Sequence, residues 1–361
     1  MDQNQAPSRT ETARYALRVL IYRAGVDKVT DLAAAMTFYL VLSVFPLIVA
    51  AVSILNLVGG AEWLVPRFEA AVESMVTPQL AALFAQVITG FLGARGAGLT
   101  LVISLVAAVW SASGYIGAFA RAVNTVYQVG EGRHFVKLKG FQLLMTLGMV
   151  LLIIILAVSL AVSSSAARWL GDLIGMGDEF SAVWVWLRYP LMGVVVVVLV
   201  QMLYFVAPNV RHPRIRFLSL GSLTAIVLAT GIFMLFSVYL SVFNGESNYA
   251  KTYGALAGVV IALFLAFLMN IALLIGAELD AVLERVKQLR YGLPAESGLL
   301  LPPRDAKGIN KSINTRTALV RRAHSIRAAA LADGVEPPAW YTQQRLDSDR
   351  DASLETVRKT S

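Results

Sequence analysis

Residues 253–281 read YGALAGVVIALFLAFLMNIALLIGAELDA, and the first twenty-five of them carry no charge. A helix needs roughly 20 apolar residues to cross the hydrocarbon core of a bilayer. Backbone donors and acceptors find no water there, so a long apolar run satisfies them internally as a helix. The pattern continues beyond the boundary. Leu279, Val282, Leu283, Val286 and Leu289 keep helical spacing while Asp280, Glu284, Arg285 and Lys287 supply a wet face, and Gly292 and Pro294 close the helix. This stretch decides the fold class: an all-α, polytopic membrane protein.

Composition extends the reading to the whole chain. Of 361 residues, 57% are hydrophobic and 15% charged, with mean hydropathy +0.66, whereas a soluble domain carries about 25% charged residues. There is too little polar surface to wrap one soluble globule, which excludes a soluble enzyme and a disordered chain. The absence of cysteine excludes a disulfide scaffold, a thiolate nucleophile, an iron–sulfur cluster and cysteine-ligated zinc. His134, His212 and His324 fall in separate segments without metal-site spacing, and there is no Walker A, Rossmann or G-x-S-x-G motif. No cofactor, metal or catalytic centre is expected.

Six spans follow from the apolar runs: Leu32–Leu57, Leu99–Ala120, Phe141–Ser163, Ala182–Ala207, Leu218–Val242 and Tyr253–Gly276. Arg188 is the one charge intruding near the start of the fourth, where it can snorkel. The first thirty residues lack the apolar core of a cleavable signal and read as a short basic helix at the cytoplasmic surface. Lysine and arginine orient the bundle. With the N-terminus inside, fifteen face the cytoplasm in the lead, after spans two and four, and after span six. Four lie outside, or five counting Arg188. Both termini are therefore expected in the cytoplasm of an inner (plasma) membrane protein. The net charge of +8 then belongs to cytoplasmic flanks that meet anionic lipid headgroups, and nucleic acid is not expected as a partner.

The expected division is a basic lead over 1–31, a transmembrane domain over 32–290 and a charged, disordered tail over 291–361. In the first outer segment Leu80, Leu83, Phe84, Val87, Ile88 and Phe91 form a helical stripe. With Trp63–Val76 it predicts amphipathic helices on the outer leaflet.

Several positions stand out as candidate transport or helix-contact residues. Pro46 cannot donate to the carbonyl of Leu42, so a kink in span one should leave that carbonyl for Ser43 or a neighbouring helix. In span two Trp110, Gly114, Gly117, Arg121 and Asn124 recur on one helical face, small where another helix can approach and polar at the cytoplasmic end. Gly254 and Gly258 make a GxxxG contact motif in span six. Asn270 is the most deeply placed amide and is expected to bond a neighbouring helix or, alternatively, a substrate. Glu278 and Arg121 reach the same cytoplasmic boundary and are expected to pair.

Four of these segments together resemble the YihY/BrkB family of bacterial inner-membrane proteins, formerly labelled ribonuclease BN. They are Asp31–Leu55 with its Ser43-x-Phe45-Pro46 core, Trp110–Tyr127 (WSASGYIGAFARAVNTVY), Tyr204–Ser222 with the Pro208–Asn209 turn, and Tyr253–Ala281 ending GAELDA. The likeness covers about residues 30 to 285 in order. It departs at Phe264–Leu265–Ala266–Phe267, where relatives usually show Trp or Tyr. The resemblance implies a six-helix inner-membrane protein and brings no agreed catalytic residues. "Ribonuclease" sits poorly with a chain lacking a metal cluster, and "virulence factor" names a phenotype. Two functions remain: a transporter or lipid-handling permease of the envelope, and a non-transporting scaffold whose tail recruits partners. Homo-oligomers or envelope proteins are compatible with either.

Overall fold

Ser8 opens the first helix through a reciprocal bond with Glu11: the Ser8 amide donates to Glu11 Oε2 at 2.8 Å and the Glu11 amide to Ser8 Oγ at 3.2 Å. This satisfies two of the donors a helix start leaves orphaned. Helix α1 (Arg9–Val26) turns at Lys28, a left-handed residue with φ 52°, into α2 (Val29–Leu57). Four long apolar helices follow: α3 (Ala97–Val126), α4 (Phe135–Ala161), α5 (Gly177–Gln201) and α6 (Leu220–Val242). Helix α7 (Ala257–Arg290) carries the last span, and α8 (Lys307–Ala332) follows it. The computed structural model describes residues 8–57, 97–161, 168, 172, 175–211, 218–242 and 257–338. No strand occurs among them beyond an isolated bridge between Val210 and Pro303.

Among the described residues five helices are long and apolar enough to cross a membrane. The described part of the first candidate span, Val29–Ser43, is a shorter apolar helix within α2. Of the six expected spans, the last five correspond to these helices, and the first lies partly outside the residues whose side chains the structure describes. The outer stripe from Leu80 to Phe91, the Trp63–Val76 segment and Gly254 lie outside the described residues. Helix α7 does run unbroken past its span to Arg290, and Gly292 turns away with φ 73°.

Half of the α3 span is buried inside the protein, against 17–22% of the other four. Helix α3 is therefore the central post, and the other spans give most of their surface to lipid. In lipid no hydrophobic force drives helices together, so close packing of small residues and interhelical hydrogen bonds must do so. The buried alanines Ala33, Ala118, Ala122, Ala225, Ala277 and Ala281 supply the first. The tightest approach joins α6 to α7. A Cβ on Gly276 would overlap the Gly221 carbonyl, the Tyr204 hydroxyl and the Ala225 methyl, and one on Gly221 would overlap the Gly276 carbonyl and Asp280. Asp280 also caps α6, accepting from the Gly221 amide at 2.8 Å and from Ser219 Oγ.

Helix α5 ends in a π-turn, Met202–Val206, just before Pro208. The turn points Tyr204 into the core, where it stacks on Phe119 at 6.0 Å between ring centroids and donates to the Leu273 carbonyl.

The chain divides after Ala306 into two units. The tail begins later than expected from sequence. Gln288 exchanges hydrogen bonds with the backbone of Leu300, and Arg285 Nε donates to the Ala295 carbonyl at 2.8 Å. Charge and proline in 291–306 had suggested disorder, but that segment spends its polar groups on the bundle. In the second unit α8 is helical with no buried residue, and Gly334 at φ 67° ends it.

Candidate functional site

Span one shows what Pro46 requires. The Leu42 carbonyl, deprived of its helical donor, receives a hydrogen bond from Ser111 Oγ on α3 at 2.9 Å. A neighbouring helix thus satisfies the freed group, as the sequence led us to expect. Ser43 turns its hydroxyl back to the Leu40 carbonyl. One layer away, buried Asn270 accepts from the Tyr115 hydroxyl at 3.0 Å and donates to Thr37 Oγ1 at 2.9 Å. Its amide ties α7 to α3 and α2, the helix-bonding role anticipated for it.

Arg121 and Glu278 do not pair. The Arg121 guanidinium lies over the Tyr39 ring, 5.6 Å from its centroid, on the side of α3 facing α2 and α4. Glu278 is buried on α7 and faces Asp27, beside Arg23 of α1. A shared depth in the membrane did not give a shared azimuth, and α1, expected as a basic helix at the surface, brings Asp27 next to Glu278. Arg188, for its part, covers the Tyr189 ring at 4.8 Å and donates to its hydroxyl at 2.9 Å.

Asn124 leaves the face of α3 that carries Arg121. A helical repeat of 3.6 residues carries it round to the core, where its Oδ1 accepts from the Asn209 amide at 2.8 Å and its Nδ2 donates to Glu131 at 3.2 Å. Asn209, fully buried, donates to the carbonyls of Gly130 and Asp305 at 3.1 and 2.8 Å and accepts from the Asp305 amide at 3.0 Å. Two arginines take the carbonyls that the end of α5 leaves orphaned. Arg133 Nη2 donates to Ala207 at 2.9 Å, and Arg304 donates to Phe205, Val206 and Val210. Glu131 holds Arg133 at 2.8 Å. Burial opposes its charge, but bonds from Arg133 and Asn124 prevail and keep its carboxyl below the usual carboxylate range. This knot joins the ends of α3, α5 and α7. The Pro208–Asn209 turn was its visible trace in sequence; the pairing of that turn with residues 304 and 305 had no periodic signal.

The remaining polar feature is a groove along α3 between α2 and α4. Gly114 and Gly117 let side chains pack close against α3: a Cβ on Gly114 would stand 3.0 Å from the Tyr39 ring, and one on Gly117 2.9 Å from the Gln142 amide and 3.3 Å from the Arg121 guanidinium. Lys139 reaches from α4 to Ser113 Oγ at 2.5 Å, its ammonium 4.2 Å from the centre of the Trp110 ring. Neither Arg121 nor Lys139 makes an ion pair among the described residues. The groove holds two cations, an amide, a hydroxyl and two aromatic faces, and Trp110 and Arg121 stand exposed at its rim. Among the described residues no group of three or more His, Cys, Asp or Glu could hold a metal ion.

A family model described as "Virulence factor BrkB" matches residues 20–298. The chain belongs to the BrkB family. The match runs from within α1 to just beyond α7 and stops before Arg304. Curated BrkB-like relatives include the "putative ribonuclease-like protein YfkH" of Bacillus subtilis (strain 168), 27% identical over 281 residues, covering 76% of this chain and 96% of that protein. A UPF0761 membrane protein of Alkalilimnicola ehrlichii is 29% identical over 262 residues, covering 72% of this chain and 56% of the relative. UPF0761 membrane protein VSAL_I2938 of Aliivibrio salmonicida is 27% identical over 331 residues, covering 84% and 98%. No solved structure matches the chain significantly. This BrkB protein is thus an integral membrane protein, and its relatives' names do not define its chemistry.

Proposed function

We propose that this protein is a lipid-handling permease that takes anionic phospholipid headgroups from the cytoplasmic leaflet into the groove of Arg121 and Lys139. The observation carrying the reading is the pair of unneutralised cations on helices whose outer faces meet lipid. Ionisable groups within spans are costly to keep unless they serve a ligand or pathway. Both termini face the cytoplasm of the inner membrane in this reading. The segments that lysine and arginine assign inside support it: those around Arg133, Asn209 and Arg304 bond to one another at one end of the bundle.

Lipid retention tests the groove. Wild-type protein extracted in native membrane discs should be enriched in anionic phospholipid over zwitterionic, and Arg121→Gln with Lys139→Gln should lose that enrichment. Two cations at about 1 kcal/mol each correspond to roughly a 30-fold weaker hold. Equal lipid profiles for wild type and the double variant would remove the groove from the account.

One observation favours a scaffold as the second reading. Helix α8 carries six lysines and arginines and no acid over 307–332, with Ile313, Leu319, Val320, Ile326 and Leu331 exposed. Truncation after Ala306, which leaves the knot intact, separates the two: a permease keeps its activity, and a scaffold loses its role.

A further inference from the structure

Glu278 is 1% exposed, and neither of its carboxyl oxygens receives a hydrogen bond. The group it faces is a second carboxyl, Asp27, at the C-cap of α1. Asp27 is itself claimed: Arg23 Nη2 donates to both its oxygens, at 2.8 and 2.6 Å, with the Asp27 side chain 7% exposed. Arg23 and Asp27 stand one turn apart, so the ion pair is built into α1 before α1 meets α7. Along α7 the next acids are Asp280, which caps α6, and Glu284, which pairs with Lys287 at 3.1 Å, and the Tyr127 hydroxyl of α3 lies near this acidic run. The buried Glu278 carboxyl therefore neighbours the Asp27 carboxyl, which already holds the Arg23 guanidinium.

Two carboxylates in contact, out of water, cannot both ionise when one cation serves them. We propose that Asp27 and Glu278 form a proton-binding site: Glu278 carries the proton and donates it to the carboxyl of Asp27, to which Arg23 also donates. The proton comes from cytoplasmic water past Arg23, which is 17% exposed. Its binding neutralises Glu278 and closes a chain from Glu278 through Asp27 to Arg23. Its release leaves a buried negative charge against another, which pushes α1 off α7. The site is thus a proton-operated clamp between the amphipathic lead helix and the last span, and it stands whether or not the groove handles lipid.

Infrared spectroscopy of the full-length protein in lipid discs reads the proton directly. At neutral pH a protonated-carboxyl carbonyl band is expected. It should shift in protein carrying carbon-13 glutamate and vanish in Glu278→Gln. A spin label on Ala13→Cys, straightforward in a chain without cysteine, should gain mobility as the band titrates away at high pH, and should stay immobile throughout in Glu278→Gln. A wild-type spectrum without a protonated glutamate band overturns the proposal and needs no variant to fold. So does a band that persists in Glu278→Gln, or a label whose mobility ignores loss of the band.

Discussion

Gly276→Ala should unfold the bundle at the α6–α7 crossing, lowering stability by about 3 kcal/mol or more. Overpacking typically costs about 1–3 kcal/mol where neighbours can shift, and here two of the three atoms met resist shifting. The Gly221 carbonyl is backbone on the facing helix, and the Tyr204 hydroxyl is pinned to the Leu273 carbonyl. Separating the helices would also pull Asp280 from the start of α6. Unfolding in mixed micelles should show the loss, while Gly231→Ala on the same helix α6, where no atom lies within 4 Å of the added methyl, should be neutral or stabilising by up to ~1 kcal/mol through helix propensity. Equal stability of the two variants would show that α6 and α7 do not cross at these glycines.

Replacing Asn209 should release the segment that follows α7. Asn209→Ala deletes three hydrogen bonds that link α3, the end of α5 and residue 305, at about 1 kcal/mol each. Asn209→Asp should do at least as much harm, because it aims a carboxylate oxygen at two carbonyls that now receive amide protons. The readout is tryptic cleavage after Arg304, whose guanidinium is occupied by the carbonyls of Phe205, Val206 and Val210. A loss of ~3 kcal/mol raises the open fraction about a hundredfold, and cleavage should rise with it. Unchanged protection in both variants would mean that Asn209 does not hold the segment.

What sequence revealed and what it hid divide along physical lines. Hydropathy placed the helices, and the missing donor of Pro46 announced a bond that Ser111 makes. A buried amide in a span had to find a partner, and Asn270 found two. Each of these follows from local chemistry, because the need is written at the residue that has it. The identity of the partner is not. Arg121 and Glu278 matched in depth but not in direction around their helices, and the approach at Gly221 and Gly276 shows no GxxxG spacing because the two glycines sit on different helices. Asn209 in the knot joins positions 79 to 96 residues apart. Such pairings depend on how the helices are rotated, which only packing decides.

The central claim is that the Arg121–Lys139 groove passes anionic lipid. Purified wild-type protein in liposomes holding trace fluorescent phosphatidylglycerol, with quencher added outside, measures this most directly. The account predicts that protein-containing vesicles move the inner-leaflet probe to the quencher at least tenfold faster than empty ones, and that Arg121→Gln with Lys139→Gln abolishes the gain. Probe that stays as protected as in protein-free vesicles, or that moves equally well in the folded double variant, would contradict it.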